Sequence, residues 1–304
     1  MTNPWEAEIE FSMELAEELV GRQFPELLPV ELEFYGQGWD NVAVLVNGEW
    51  VFRFPQRELA RLTMEGELAC LTALSDHLPL AIPHPQFVGW PTTAYPFVFS
   101  GYRKLPGTTG CSASLSADQR RACAPLLASF LRSLHNPALA VACQDRVHSD
   151  RIDRANMQRF LVPMEKRLHE IRCLPECVER AGLVSLARDL AQTPAWEGTR
   201  RVVHGDLYAR HLLVNEAGQL CGVIDWGDGH LGDPALDLSV LYSFLAKEAR
   251  PLFEAVYGGI DERTRGRAKF RALHYGVTLT HYGEQAADEA IAQAGRDALT
   301  FLLE

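Results

Sequence analysis

Several features that mark other classes of protein are missing from these 304 residues. No apolar run approaches the ~20 residues that would span a membrane. Residues 1–20, MTNPWEAEIEFSMELAEELV, are acidic and contain no apolar signal-peptide core, so we expect no export. No basic stripe marks a nucleic-acid surface. We therefore expect a globular, cytoplasmic and monomeric protein without membrane or nucleic-acid partners.

Cysteine is present but follows no repeated spacing. The closest pair among the seven, Cys173 and Cys177 in CLPEC, has no second such pair to complete a zinc site. We expect reduced thiols, which agrees with a cytoplasmic protein.

The negative charge is confined to the first third of the chain. Residues 1–100 hold 15 Asp and Glu against four Lys and Arg, whereas residues 101–304 hold 25 of each sign. The net charge of −11 therefore belongs to the first third. A cationic ligand would be attracted there, although an acidic face that maintains solubility explains the same numbers.

The first third alternates helix and strand patterns. Helical periodicity marks residues 6–22 and 57–77. Between them, LEFYGQGWDNVAVLVNGEWVFRFP predicts a strand followed by a hairpin with its turn at Asn47-Gly48. FVGWP and YPFVFSGYRKLPG, rich in aromatic and β-branched residues, predict two more strands.

From Ser116 onward the pattern is mostly helical, notably over residues 235–257 and 268–303. Only VVHGD, HLLVN and CGVIDW interrupt it as short strands. The chain is thus predicted to be α+β and bilobal, with a small antiparallel β-rich lobe at residues 1–102 and a larger helical lobe at 103–304.

Acidic and histidine side chains follow the ends of these short strands. Phosphoryl transfer needs a carboxylate beside the acceptor hydroxyl and oxygen ligands for a divalent cation. Asp206 can fill the first role, while Asp225, His211 and the nearby Asp228 can serve the cation. The same residues with His204 would also suit a metal-dependent hydrolase, which stays an alternative.

HGDLYARHLL and VIDWGD resemble the H-x-D-x-x-x-x-N and D-F-G pair of protein-kinase-like enzymes. The chain is most similar to the aminoglycoside phosphotransferase family of antibiotic kinases, in particular the aminoglycoside 2″-phosphotransferases; macrolide kinases share the histidine. Other segments resemble that family in the same order: VFRFP, GELACLTAL, IPHPQFVGW, FSGYRKLPG, FLRSLH and GDPALDL. The resemblance implies a protein-kinase-like fold that phosphorylates a small-molecule hydroxyl from ATP or GTP with Mg²⁺.

The resemblance also implies roles for single residues. Asp206 is the catalytic aspartate, and His211 and Asp225 are the metal ligands. Arg53 supplies the cation on the nucleotide, with Glu67 as its partner; Glu65, two residues earlier, is the competitor for that role. The nucleotide site is completed by the backbone around the hinge, with Phe99 near the base pocket: Phe99, Ser100, Gly101 and Tyr102.

The sequence departs from the family at several positions. Arginine replaces the usual lysine at position 53, and its planar guanidinium binds phosphate with a different geometry. Tyr208 stands where protein kinases carry lysine, so a protein acceptor is not expected, and Arg210 could return a cation to the site. The glycine loop YGQGWDN lacks a third glycine.

The acceptor is left open by these motifs. An aminoglycoside is a polycation that needs clustered carboxylates, and the helical lobe offers Glu248, Glu284, Asp288 and Glu289. A macrolide would suit aromatic side chains, of which that lobe offers Tyr242, Phe244, Tyr275 and Tyr282, although these could equally be core. We expect an aminoglycoside first and a macrolide second, with a sugar or small alcohol as a further possibility. A non-catalytic kinase fold that only binds ligands is the remaining alternative.

Overall fold

The computed structural model describes residues 8–38, 40–74, 78–150 and 152–304. Contacts divide the chain into two compact units, one made of residues 1–75, 82–105 and 226–228, and the other of residues 76–81, 106–225 and 229–304. The ends of the first two predicted helices, at residues 6–7 and 75–77, and Trp39 of the glycine loop lie outside the described residues. The predicted lobe boundary after residue 102 stays a prediction.

The first unit is built on a five-stranded antiparallel sheet with the order β1-β2-β3-β5-β4. Its strands are β1 Leu32–Gln37, β2 Asn41–Val46, β3 Trp50–Pro55, β4 Pro85–Gly89 and β5 Phe99–Arg103. The predicted hairpin is confirmed, and Asn47 and Gly48 in its turn both have positive φ (53° and 68°). Because Val46 pairs with Trp50, the connection has three residues, 47–49. The strand expected from Tyr95 onward begins only at Phe99; Tyr95 is buried in the core instead.

Two helices complete the first unit, α1 Met13–Gln23 and α2 Glu58–Leu74. Alternation along β3 sends Trp50, Phe52 and Phe54 to the face that α1 covers, where they form an aromatic core with Phe99. The intervening residues of β3 point to the opposite face. That face carries Arg53, whose partner comes from α2.

The second unit contains nine helices within its described residues. They are α3 Ala117–Leu134, α4 Pro137–Cys143, α5 Met157–Glu170, α6 Arg180–Leu190, α7 Ala235–Leu238, α8 Val240–Ser243, α9 Arg250–Tyr257, α10 Glu262–Ala286 and α11 Glu289–Leu303. Helix α10 is central and packs on α5, α6, α7, α8 and α11. The helical pattern predicted over 268–303 is two helices, because the chain turns at Ala287 with a φ of 53°.

Glycine allows α10 and α11 to approach closely. A Cβ at Gly283 would lie 2.3 Å from the backbone nitrogen of Ala292, and one at Gly295 would lie 2.3 Å from that of Thr280. Neither position could accept a larger residue without separating the helices. Tight packing therefore fixes the position of α10, which contributes to the site described below.

Short strands interrupt the helices as predicted. They are β6 Thr108–Thr109, β7 Arg201–Val203, β8 Leu212–Val214, β9 Leu220–Val223 and β10 His230–Gly232. They pair into two small sheets, β10-β7 and β6-β8-β9. β7 ends just before His204, β8 starts just after His211, and β9 ends two residues before Asp225, so the strand ends fix the polar residues that follow or precede them.

None of the helices in the described part of the chain combines the length and hydrophobicity that crossing a membrane requires. All seven cysteines are free thiols, and Cys173 and Cys177 are exposed.

Candidate active site

A buried carboxylate accepts hydrogen bonds from the backbone of the loop that carries Asp206. Asp237 of α7 accepts hydrogen bonds from the backbone N–H groups of His204 (2.7 Å) and Gly205 (2.9 Å). Gly205 has a φ of 79°, in the left-handed region that favours glycine, so the chain turns sharply just before Asp206. Asp237 thus fixes the backbone from which Asp206 projects.

Asp237 is itself oriented by a histidine from α3. His135 Nε2 lies 3.1 Å from Asp237 Oδ2 and Nδ1 lies 2.8 Å from Tyr257 Oη. Because a carboxylate can only accept, Nε2 carries the proton in this bond. Burial opposes ionisation of Asp237, but the hydrogen bonds from the His135 ring and from the backbone N–H of His204 help to lower its pKa below the ordinary value.

His204 has both ring nitrogens engaged within the protein. Nε2 donates to the carbonyl of Ile224 at 2.9 Å, and Nδ1 accepts from the backbone N–H of Asp206 at 3.3 Å. Complete burial, followed by the charge of His211, lowers the pKa of His204, so the ring is neutral. A neutral imidazole with both nitrogens used braces the loop and has no lone pair for a metal, which argues against the hydrolase alternative.

His211 and Asp225 face each other. Nδ1 of His211 donates to the backbone carbonyl of Asp206 at 2.7 Å, which leaves Nε2 to face Asp225. Nε2 lies 3.4 Å from Asp225 Oδ2, and 45% of the Asp225 side chain is exposed. Asp225 has a φ of 64°, a conformation that aspartate tolerates better than most residues and that often marks functional sites.

This pair fits a divalent cation. In the neutral tautomer of His211, Nε2 would offer a lone pair 3.4 Å from Asp225 Oδ2, so that one cation could bind both atoms. Among the described residues no group of three or more His, Cys, Asp or Glu forms a metal cage. Mg²⁺ does not need one, because it is commonly held by one or two protein ligands together with water and substrate phosphates. Asp228, the further acceptor predicted from sequence, groups with the sheet unit.

The Asp206 carboxylate receives two donors from α10. Tyr275 Oη donates to Oδ1 at 3.0 Å, and Arg271 Nη2 lies 3.5 Å from the same oxygen. Burial raises the pKa of Tyr275 well above its ordinary value, with Arg271 opposing, so the phenol remains a donor. About a quarter of the Asp206 side chain, 27%, stays exposed. The site therefore contains a partly exposed carboxylate of which one oxygen, Oδ1, is already hydrogen-bonded.

Arg53 and Glu67 form a buried pair in the first unit. Arg53 Nη1 donates to Glu67 Oε1 at 2.5 Å, and both residues are less than 10% exposed. Glu65 lies on another face of α2 and accepts from Arg61. Glu67, which was predicted as the partner of Arg53, is thus the glutamate that contacts it, and its competitor Glu65 pairs elsewhere.

The four hinge residues predicted at the nucleotide site lie on β5. Phe99 is fully buried and stacks on Phe54 with ring centroids 4.8 Å apart. Ser100 pairs with Arg53 across the sheet and its hydroxyl donates to Met64 Sδ at 3.2 Å. Gly101 lies against the Phe52 ring, where a Cβ would come within 2.5 Å.

Tyr102 lies on the same face of the sheet as Ser100, two residues further along β5. It forms a small apolar cluster with Leu45 and Val51. An apolar surface of this kind on the Arg53 face suits the flat face of a nucleotide base.

Three carboxylates that the sequence offered for a cationic acceptor serve other purposes. Glu284 accepts from the backbone N–H groups of Arg172 and Cys173, both at 2.8 Å. Asp288 caps α11, and Glu289 pairs with Arg296. Glu248 is exposed near the start of α9.

Comparison with known proteins decides the family. The model described as the phosphotransferase enzyme family (APH) matches residues 31–273. This chain belongs to that family. The match includes Arg53, Glu67, Asp206, His211 and Asp225, and the predicted family is confirmed.

Individual relatives agree with this assignment. Viomycin phosphotransferase of Streptomyces vinaceus is 30% identical over 94 residues, 30% of this chain and 33% of that protein. The curated relatives are matched over only 20% and 33% of their own lengths. The GDP complex of wild-type aminoglycoside 2'-phosphotransferase-IIIa is 25% identical with a TM-score of 0.66, covering 95% of this chain and 98% of that one.

A macrolide phosphotransferase has the same fold. The apoenzyme of macrolide 2'-phosphotransferase MphH from Brachybacterium faecium is 22% identical with a TM-score of 0.60, covering 94% of this chain and 98% of that one. Similarity over nearly the full length confirms the predicted fold class, a protein-kinase-like fold with a β-rich and a helical part.

Sequence reasoning missed Arg271 and His135 and offered Tyr275 only as an aromatic side chain for a macrolide. Arg271 and Tyr275 are separated from Asp206 by 65 and 69 positions, and no motif links them to it. His135 ends α3 and also binds Asp237.

Proposed function

We propose that this chain transfers the γ-phosphate of ATP or GTP to a hydroxyl group of an aminoglycoside antibiotic, as a monomer in the cytoplasm where the nucleotides are available. The observation that carries the proposal is the partly exposed carboxylate of Asp206, which lies 3.8 Å from His211 Nδ1, while Nε2 of the same ring faces Asp225. This arrangement, in a chain of the phosphotransferase family, matches what phosphoryl transfer requires.

The reaction would use Asp206 to orient the acceptor. The hydroxyl oxygen attacks the γ-phosphorus while its proton passes to the Asp206 carboxylate. The bond from the γ-phosphorus to the bridging oxygen breaks, and its electron pair stays on the β-phosphate of the leaving ADP or GDP. Because little covalent chemistry is asked of the protein, orientation and charge supply most of the rate enhancement.

Mg²⁺ would be held by His211 and Asp225, and when bound it would neutralise charge on the phosphates. Arg53 would contact the phosphates from the sheet unit, oriented by its bond with Glu67. The backbone of Ser100, Gly101 and Tyr102 and the apolar face beside Tyr102 would bind the base.

Two acceptor classes are favoured by different observations. The similarity to aminoglycoside 2'-phosphotransferase-IIIa over nearly the whole chain favours an aminoglycoside. Beside Asp206, however, the buried side chains of Tyr275, Leu279 and Ile291 form a core cluster, and the partly buried Tyr208 and Tyr282 pack against it. These two partly exposed rings, with three carboxylates already engaged elsewhere, favour a weakly charged acceptor such as a macrolide as the second candidate.

A release assay for ADP and GDP separates these possibilities. Both nucleotides are presented with kanamycin, gentamicin, viomycin, erythromycin and a panel of sugars and small amino alcohols, each with and without Mg²⁺. We expect Mg²⁺-dependent release that requires one antibiotic class, with a phosphorylated product detected by mass spectrometry. Release without a phosphorylated product, for every acceptor, would contradict the proposal.

Two variants separate the roles of the carboxylates. Asp206→Asn should abolish turnover while leaving nucleotide affinity within about threefold, because it removes only the proton acceptor. Asp225→Ala should instead remove the Mg²⁺ dependence of nucleotide binding, measured by calorimetry. Asp261→Ala, which removes a helix cap on α10, is the matched control and should keep both properties.

A further inference from the structure

Arg271 and Tyr275 lie one turn apart on α10 and converge on the same oxygen of Asp206. Arg271 Nη2 contacts Asp206 Oδ1 (3.5 Å), Tyr275 Oη (3.0 Å) and the carbonyl of Gly205 (3.2 Å), while Tyr275 Oη reaches Oδ1 at 3.0 Å. We propose that Arg271 and Tyr275 are positioning residues that orient Asp206 for phosphoryl transfer, an assignment that rests on the proposed function.

The contacts favour one orientation of the carboxylate. Oδ1 receives both donors from α10, whereas Oδ2 lies 3.8 Å from His211 Nδ1, which itself donates to the Asp206 carbonyl. With Oδ1 held, rotation of the carboxylate about χ2 would break the Tyr275 bond. The exposed part of the side chain is thus left to Oδ2, which receives the acceptor proton.

Arg271 adds a second constraint, on the backbone. By contacting the Gly205 carbonyl it binds the residue whose N–H is held by Asp237, so the peptide groups on both sides of Gly205 are fixed. The side chain of Arg271 is only 8% exposed and stacks over the Tyr275 ring at 4.4 Å. A charge-assisted bond in a buried setting is a strong restraint on geometry.

If Arg271 and Tyr275 served only to stabilise the fold, their replacement would affect turnover no more than loss of a similar contact elsewhere. The chain offers such a contact as a matched control. Arg250 stacks over the Tyr242 ring at 4.9 Å and donates to backbone carbonyls of Leu241 and Phe301 in the same unit. Arg250→Lys and Arg250→Gln therefore report what loss of a buried Arg–Tyr contact does to folding alone.

The test measures kcat and KM separately in Tyr275→Phe, Arg271→Lys and Arg271→Gln. Kanamycin and erythromycin serve as acceptors, and water serves as acceptor in their absence. We expect kcat to fall about tenfold in Tyr275→Phe and about 10- to 100-fold in Arg271→Gln, with nucleotide KM within about twofold. Arg271→Lys should restore part of the rate, because it keeps the charge. The control variants should keep kcat.

Coupling to Asp206 separates this inference from the proposed function. If Asp206→Asn lowers turnover but Tyr275→Phe and Arg271→Gln leave kcat unchanged, the inference fails and the proposed function stands. If Asp206→Asn itself keeps full turnover, the proposed function fails. Adding Tyr275→Phe to Asp206→Asn should change the residual kcat less than about twofold. The reason is that the effects of replacing residues that act as a unit are not additive. A full additional tenfold loss would overturn the positioning role.

Discussion

Replacement of Asp237 by alanine should destabilise the protein and disorder the loop that carries Asp206. Three buried donors would lose their acceptor: the N–H groups of His204 and Gly205, at 2.7 and 2.9 Å, and the ring N–H of His135 at 3.1 Å. Each unsatisfied buried donor costs about 1–3 kcal/mol. Since water can enter the space left by the carboxylate, we expect a total loss of about 3–5 kcal/mol in the free energy of unfolding.

Asparagine at position 237 should be less harmful than alanine. It keeps the size of the side chain and one acceptor oxygen, but its NH₂ group faces a donor. We expect a loss of about 1–3 kcal/mol for Asp237→Asn, measured by urea denaturation followed by circular dichroism. Turnover at 15 °C, where both variants are still folded, should fall in the same order, because the backbone before Asp206 is no longer held.

The control and the refuting result come from another aspartate. Asp261 accepts from the backbone N–H of Thr264 (3.0 Å) and its hydroxyl (2.7 Å) at the start of α10. Its replacement by alanine should cost about 1 kcal/mol, as for other helix caps, and leave kcat unchanged. If Asp237→Ala costs no more than Asp261→Ala, or keeps wild-type kcat, the bracing role derived for Asp237 is wrong.

Three further perturbations test other parts of the structure. Burial, followed by the charges of Arg271 and Arg167, lowers the pKa of His274 well below its ordinary value. Below about pH 6.5 the unfolded chain binds a proton that the folded chain does not. The free energy of unfolding should therefore decrease by up to about 1.4 kcal/mol for each unit by which the pH is lowered. His274→Phe should reduce this pH dependence in urea titrations from pH 7.5 to 5.5, whereas replacement of the exposed His84 by glutamine should not. Equal slopes in the wild-type protein and both variants would refute the assignment. Arg53→Ala should raise nucleotide KM about 10- to 100-fold and Arg53→Lys much less, because the family's usual cation is restored; equal KM values in the two variants would show that the charge at position 53 is not used. Gly101→Ala should cost about 1–3 kcal/mol, since its Cβ would lie 2.5 Å from the Phe52 ring, whereas Gly36→Ala, which meets nothing within 4 Å, should cost less; equal melting temperatures for the two would contradict the packing.

The parts of the site that the sequence predicted lie close together along the chain. Asp206, His211 and Asp225 fall within 20 residues, on strand ends whose hydrophobic pattern is clear, so local geometry alone brings them near each other. The turn at Asn47-Gly48 was predictable for a similar reason, because few residues accept positive φ at two adjacent positions. The choice of Glu67 over Glu65 came from the family resemblance and not from local pattern, since the contact with Arg53 depends on how α2 is rotated against β3.

The parts that the sequence did not predict depend on tertiary packing. Helix α10 has many buried residues along its length, from Thr264 to Gly283, so periodicity could not show which buried side chain meets Asp206. We expected Arg210 to supply a cation, whereas the cation that contacts Asp206 is Arg271. Two aspartates of the GDPALDL segment also have partners that only the fold supplies: Asp237 holds the loop before Asp206, and Asp233, which accepts from the N–H of Ala235 at the start of α7, pairs with Arg267.

The partners of the carboxylates in the helical part of the chain bear on the choice of acceptor. Residues 101–304 hold equal numbers of acidic and basic side chains, which is compatible with either evenly mixed charges or a local acidic site. Asp233, Glu254 and Asp297 pair with arginine at 3.0 Å or less, and Glu284 binds backbone N–H groups. Among the described residues next to Asp206, the side chains from α10 are a cation and a phenol. A polycationic acceptor would have to approach Arg271 with few acidic contacts in return, whereas a weakly charged ring system could pack on the partly exposed Tyr208 and Tyr282 at no such cost. If charge near Asp206 controls selection, the screen should show a lower KM for the less highly charged antibiotic, which would favour the second candidate acceptor over the first.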